Sequence, residues 1–185
     1  METPEIIKPL LFESEDFIIH PFRRMDMDRH DQVARDIYEL YSDPQVLKYS
    51  PEKKLRSIKE ANDSIFGIIA DYTKGRNTYF ITSKKNLEVL GVFYLISPSY
   101  AKSKYPNIPS STWLIEYYLK PRYWGMSITP NILKAVIDRM VAQSVTKFGA
   151  MVFRDNINSI RVLSKINFTF HSKFDFYQDL YTRTE

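Results

Sequence analysis

Apolar positions along the first part of the chain recur at helical spacing, and later ones group into strand-like runs. Asp16 to Arg24 has strand composition. From Met27 to Tyr41, the spacing of Val33, Ile37, Leu40 and Tyr41 predicts a helix that Ser42-Asp-Pro44 stops. A second helix, opened by Pro51-Glu-Lys-Lys, is expected from Leu55 to about Tyr72, with Ile58, Ala61, Ile65 and Ile69 on one face and Lys74-Gly-Arg-Asn as its terminator. The period then changes. Thr78 to Thr82 and Leu87 to Ile96 read as two strands joined by the polar turn Ser83-Lys-Lys-Asn86. The segment Ser97 to Ser110 holds four Ser, three Pro and two Lys and reads as an unpacked surface connector or flap. Beyond it come a strand Thr112 to Leu119, a helix Thr129 to Ala142, a strand Lys147 to Phe153, a helix Ile157 to Lys165 and two short terminal strands. The order β-α-α-β-β-β-α-β-α-β-β predicts a mixed sheet with helices on both faces. In the later helix Ile132, Leu133, Val136, Ile137 and Met140 form the expected core stripe.

Composition narrows the functional classes. The 185 residues suit a single domain over the whole chain, 1–185. A 15% aromatic content favours strands and a lined groove. The net charge of +4 arises from 26 Lys and Arg mixed with 22 Asp and Glu, so charge gives no case for nucleic acid as a partner. Having no cysteine excludes disulfides and a thiolate nucleophile. His20, His30 and His171 lack paired ligand spacing, so no metal is expected, and they read as surface or packing residues. The opening Met-Glu-Thr-Pro-Glu-Ile-Ile-Lys has no basic region followed by an apolar core, and no run reaches the ~18 apolar residues of a membrane span, so a cytoplasmic protein without a membrane partner is expected.

Two stretches carry candidate chemistry. In Glu116-Tyr-Tyr-Leu-Lys-Pro-Arg-Tyr-Trp-Gly-Met-Ser-Ile-Thr-Pro-Asn-Ile-Leu133 a strand ends in a turn without acidic residues, and a helix follows. Such a helix start offers unpaired N–H groups and the positive end of the dipole, which is a seat for a phosphate. The other stretch, Asn156-Ile-Asn-Ser-Ile-Arg-Val-Leu-Ser-Lys-Ile-Asn-Phe168, is a helix entered through a polar turn.

These stretches resemble the acetyl-CoA loop and the later cofactor-side helix of the GNAT family of N-acetyltransferases. Phe17 to Arg23 and Tyr41 to Tyr49 look like its RimJ/RimL branch, the ribosomal-protein N-terminal acetyltransferases. The resemblance implies an α/β (α+β) fold with a mixed, mostly antiparallel central sheet. It also implies acetyl-CoA as cofactor and a primary amine as acceptor: a peptide N-terminus, a polyamine or an amino sugar. A monomer or homodimer fits the family. The family loop runs Arg/Gln-x-x-Gly-x-Gly/Ala, and its backbone amides hold the pyrophosphate. Here those positions are Trp124, Gly125, Met126, Ser127, Ile128 and Thr129. Trp124 stands at the Arg/Gln position, while Ser127 and Thr129 stand for the two small residues. A Cβ at these places limits close approach and positive φ, although the hydroxyls can donate to an anion.

Asn156 and Ser159 match the branch's Asn-x-x-Ser spacing, which implies that Asn156 bonds the pantetheine arm and Ser159 lies near the cofactor sulfur; the other reading of Asn156 is a plain N-cap. Asn167 replaces the glycine that usually precedes Phe168, and asparagine tolerates a left-handed cap. Leu163 occupies the place of the family's tyrosine acid. Glu116 is the only carboxylate in the flanking strand and is the candidate base, directly or through a water; the other reading is a solvated strand residue. A backbone N–H near Tyr117, Tyr118 and Leu119 is the candidate to polarise the thioester carbonyl, and Ser159 or Tyr177 to meet the leaving thiolate. The alternative to an enzyme is a module that keeps the fold and binds acyl-CoA or another partner with little chemistry.

Overall fold

The structure is a computed structural model that describes residues 4–72 and 74–185, with the side chains of 69–72 left aside. The opening residues 1–3 and the expected placement of Ile69 therefore lie outside what is described. Among the described residues, eight strands, mostly antiparallel, and seven helices form a mixed α/β fold. Contacts divide the chain into two compact units, each described by itself: Pro9–Tyr94 with Tyr117–Met126, and Met1–Lys8 with Leu95–Glu116 and Ser127–Glu185.

The first unit holds the strands β1 (Phe12–Glu13), β2 (Phe17–Pro21), β3 (Arg76–Ser83) and most of β4 (Val89–Ile96), neighbours in that order. β2 runs antiparallel to both β1 and β3, with Ile19 opposite Phe12 and Ile81. The predicted hairpin is present: Ser83 N donates to Glu88 O at 2.8 Å and Leu87 N to Ser83 O at 3.0 Å. The helices are α1 (Arg24–Met27), α2 (His30–Ser42), α3 (Pro44–Leu47) and α4 (Ile58–Tyr72). The predicted stripe of α2 is buried at Val33, Ile37, Leu40 and Tyr41, and α2 packs on α4, which buries Ala61 and Ile65. Stacked Tyr79 and Phe93, 5.0 Å apart, fill the space over β3 and β4. Ser42-Asp-Pro44 ends α2 and also starts α3, because Asp43 Oδ1 caps Gln45 N at 2.7 Å and Pro44 takes the first turn.

In the second unit the strands stand in the order β5 (Trp113–Leu119, as far as Glu116), β6 (Lys147–Phe153), β8 (Gln178–Thr184), β7 (Thr169–Lys173). β5 and β6 are parallel, with Trp113 opposite Phe148, and β8 is antiparallel to β6 and β7. A parallel pair needs a crossover, supplied by α6 (Ile128–Val141), whose expected stripe from Ile132 to Met140 is buried. α7 (Ile157–Lys165) ends at Asn167, which takes φ +63°, the left-handed cap expected of it.

The segment Ser97 to Ser110 is not an unpacked connector. It contains α5 (Pro98–Lys104), and it buries Ser97, Ala101 and Ile108. Its Ser-Pro start is a helix signal, since Ser97 Oγ accepts from Tyr100 N and Pro98 suits the first turn. Lys102 Nζ meets carbonyls, 3.3 Å from Ile108 O, and Lys104 Nζ lies over the Tyr100 ring.

Candidate active site

The end of β5 is held from below by β4. Lys120 N donates to Leu90 O at 2.9 Å, and Gly91 lies so close that an added Cβ would stand 2.3 Å from Tyr118 O and 3.0 Å from Leu119 Cα. Only a residue without a side chain lets the two backbones approach this far. Tyr118 turns its ring into an aromatic cluster, 5.5 Å from Tyr41 and 6.1 Å from Tyr94, and Ser50 Oγ donates to its hydroxyl at 3.4 Å.

After Leu119 the chain is fixed by charge. Lys120 is 1% exposed, yet its ammonium donates to Asp36 at 3.1 Å, Glu39 at 2.7 Å and Glu88 at 2.9 Å. Arg122 adds ion pairs to Glu39 and Glu88, and the Tyr123 hydroxyl donates to Glu88 at 2.8 Å. Burial works against the Lys120 charge, but the three carboxylates outweigh it and its pKa is raised. Arg122, and then Lys120, hold Glu39 down to about 2. Burial opposes ionisation of Glu88, and its Lys120, Tyr123 and Arg122 partners still lower it. The three carboxylates are close enough to ligate a metal. Lys120 occupies the place an ion would take, so the cluster is an ion-pair anchor for the loop. Sequence reasoning missed it because the partners lie 32 to 84 residues from Lys120, a separation without a spacing signal.

The loop itself starts with the turn Pro121–Tyr123. Trp124 is 41% exposed, and its indole N–H donates to Leu119 O at 2.7 Å, tying the loop back to the strand. Gly125 takes φ +76° with open space where a Cβ would stand, so glycine serves the turn there and not a close approach. Met126 is exposed.

In the second unit, Ser127 begins α6 in the left-handed region, φ +58° and ψ +12°. The conformation expected to be restricted by its Cβ is adopted nonetheless, at a cost of about 1 kcal/mol relative to glycine. No side chain caps this helix end and no acidic residue lies in its first turn, where Ile128 and Thr129 follow. The first-turn amides therefore have no side-chain acceptor, an arrangement that suits an anion. Pro130, in the first turn, is buried.

Asn156 caps α7, its Oδ1 accepting from Ser159 N at 3.2 Å, and both residues are half-buried. Glu116 is half-buried in β5, and Tyr177 is exposed at the β7–β8 turn. The histidines do not gather. His20 is buried between Pro21 O and Thr82 Oγ1, each 2.8 Å away, His30 lies beside Phe66, and His171 is exposed. Among the described residues no helix is long and apolar enough to cross a membrane.

Comparison with known proteins agrees with these features. Residues 18–169 match the model of the acetyltransferase (GNAT) domain. The chain is 25% identical over 142 residues, 75% of each protein, to the uncharacterized N-acetyltransferase YoaA of Bacillus subtilis (strain 168). In fold it is similar to the microcin C7 self-immunity acetyltransferase MccE, solved with acetyl-CoA and AMP, at a TM-score of 0.73 and 17% identity over 93% of this chain and 94% of the other. It is also similar to RimL, the ribosomal L7/L12 α-N-protein acetyltransferase, at a TM-score of 0.73 and 15% identity over the whole of both chains. With a positive-φ turn opening onto an uncapped helix and a family match over most of its length, the chain belongs to the GNAT family of acetyltransferases, enzymes that use acetyl-CoA.

Proposed function

We propose that the protein transfers the acetyl group of acetyl-CoA directly to a primary amine, on a peptide N-terminus or a small molecule. The observation that carries this reading is the start of α6, where Ser127 is left-handed and the first-turn amides lack any side-chain cap or acidic neighbour. There the backbone from Trp124 to Thr129 holds the pyrophosphate, and Asn156 holds the pantetheine arm. Acetyl-CoA supplies the activated acyl carbon. Glu116, directly or through a water, takes a proton from the acceptor ammonium so that the amine lone pair is released. A backbone N–H of Tyr117, Tyr118 or Leu119 donates to the carbonyl oxygen as charge builds on it. Ser159 donates toward the departing sulfur, since Leu163 cannot.

Calorimetric titration with acetyl-CoA tests the reading. Micromolar affinity, on the order of −8 kcal/mol, is expected, with a weaker value for Ser159→Ala and Trp124→Ala. Absence of binding at millimolar cofactor overturns it. Binding without transfer to any amine points instead to an acyl-CoA-binding module.

A further inference from the structure

Within the second unit, one arginine joins two turns. Arg154 lies in the turn between β6 and α7, and its guanidinium reaches the turn between β7 and β8. Its Nε donates to Asp179 Oδ1 at 2.7 Å. One terminal nitrogen donates to Phe176 O at 2.6 Å, and the other to Asp175 O at 2.7 Å and Gln178 O at 3.1 Å. The main chain adds a further tie, Arg154 N to Tyr177 O at 3.0 Å. The β7–β8 turn is also closed from its own side, because Asp175 Oδ1 accepts from Tyr177 N at 2.7 Å and from Gln178 N at 2.6 Å.

Two places after Arg154 stands Asn156, whose N–H donates to Phe153 O at 2.9 Å and whose Oδ1 caps α7 at Ser159 N. Because that oxygen is committed to the helix, the amide N–H groups of Asn156 are the part that can meet the carbonyls of a pantetheine arm. Their aim depends on the short turn 153–156, and the Arg154 side chain anchors that turn. The Arg154 side chain is 36% exposed, and its partners Asp175 and Phe176 are exposed residues. Water can take the place of a guanidinium at such carbonyls with little loss of stability, but it cannot hold a turn in one direction. The planar fork of arginine fixes direction as well as distance, which the point charge of lysine does not.

We infer that Arg154 is a positioning residue for the cofactor arm: by clamping the β6–α7 turn onto the β7–β8 turn, it sets the direction of the Asn156 amide. The inference rests on the transferase reading for the role of Asn156, and on the arginine network alone for the clamp. It gives Arg154 an effect on cofactor affinity that is transmitted through Asn156, and only a small effect on stability.

The test is calorimetric titration of the full-length protein with acetyl-CoA over a double-mutant cycle: wild type, Arg154→Met, Asn156→Asp and the double variant. Asn156→Asp keeps an oxygen for the α7 cap and removes the amide donors. Arg154→Met is expected to weaken acetyl-CoA binding about fivefold or more by itself, and by less than about twofold once Asn156→Asp is present. Arg154→Lys, which keeps the Asp179 pair without the fork, should recover stability in urea denaturation but not affinity. Asp175→Ala loosens the β7–β8 turn from the other side and takes the place of Arg154→Met in the cycle, with the same expectation, where the latter does not fold. Affinity unchanged by Arg154→Met, a loss of equal size with and without Asn156→Asp, or full affinity in Arg154→Lys overturns the inference. Failure of the wild type to bind acetyl-CoA sinks the transferase reading and the role of Arg154 with it, whereas a wild type that binds and variants that do not couple sink this inference alone.

Discussion

Single residues carry two of the clearest energetic arguments. Ser127 pays for a left-handed backbone that glycine adopts freely. Ser127→Gly is therefore expected to leave stability unchanged or raise it by up to about 1 kcal/mol, after the greater chain entropy of glycine is subtracted, and Ser127→Val to lower it by about 1–2 kcal/mol. Urea denaturation of both variants checks this, and the two shifts should differ in sign or at least clearly in size. His20 offers a pH test. It is fully buried, and burial lowers its pKa from 6.5 to about 4 against the opposing pull of the Pro21 carbonyl and Asp26. Because the folded pKa is the lower one, an unfolded chain binds a proton first as pH falls. Stability should drop between about pH 6.5 and 4, by about 3 kcal/mol at most, and level off below. His20→Asn should flatten that slope in denaturation measured across this range. The sequence leaves His20 as either a surface or a packing residue, and only the structure, in which it is fully buried, decides between them.

At the scale of elements, close approach sets the tolerances. At Gly91 an added Cβ meets the backbone of Tyr118 and Leu119, which cannot move without displacing the end of β5. At Gly149 it meets Thr112 Cγ2 at 2.9 Å and Leu114 Cδ2 at 3.0 Å, side-chain ends that can shift. Gly91→Ala should cost about 3 kcal/mol or more and weaken acetyl-CoA binding, whereas Gly149→Ala should cost about 1–2 kcal/mol with affinity kept. Denaturation and calorimetry on the two variants decide it. Elements with a long periodic stripe, such as α2 and α6, or with clear bounding turns, such as β6 and α7, were readable because burial of one face dominates their sequence. The short α1, α3 and α5 were not. Each is set by a local cap, as Ser97 and Asp43 show, and caps read equally well as terminators.

At the scale of the whole molecule, what pattern reasoning could not reach is long-range pairing. The anchor at the end of β5 joins Asp36, Glu39, Glu88, Lys120 and Arg122, groups that look like ordinary surface charges when read along the chain. Lys120→Met removes the ammonium and leaves the buried Asp36 and the part-buried Glu88 without their lysine partner, so a loss of about 3 kcal/mol or more is expected near neutral pH. The deficit should shrink as pH falls, where Glu88, having lost its lysine partner, takes up a proton and repulsion in the cluster eases, while Arg122 still holds Glu39 ionised. A deficit independent of pH would show that packing alone matters there. The strand-turn-helix of Glu116 to Leu133 and the turn-helix of Asn156 to Phe168, by contrast, were legible because each is contiguous and its turn chemistry is carried by neighbouring residues.

The chain has two tryptophans, and they differ in a useful way. Trp113 is fully buried, with its indole N–H donating to Pro4 O, while Trp124 stands half in solvent on the loop. Intrinsic fluorescence thus contains one silent and one responsive emitter. Iodide should quench only the Trp124 fraction, and a nucleotide settling on the loop should shield that fraction from iodide. Cofactor binding can thereby be followed in real time without any label.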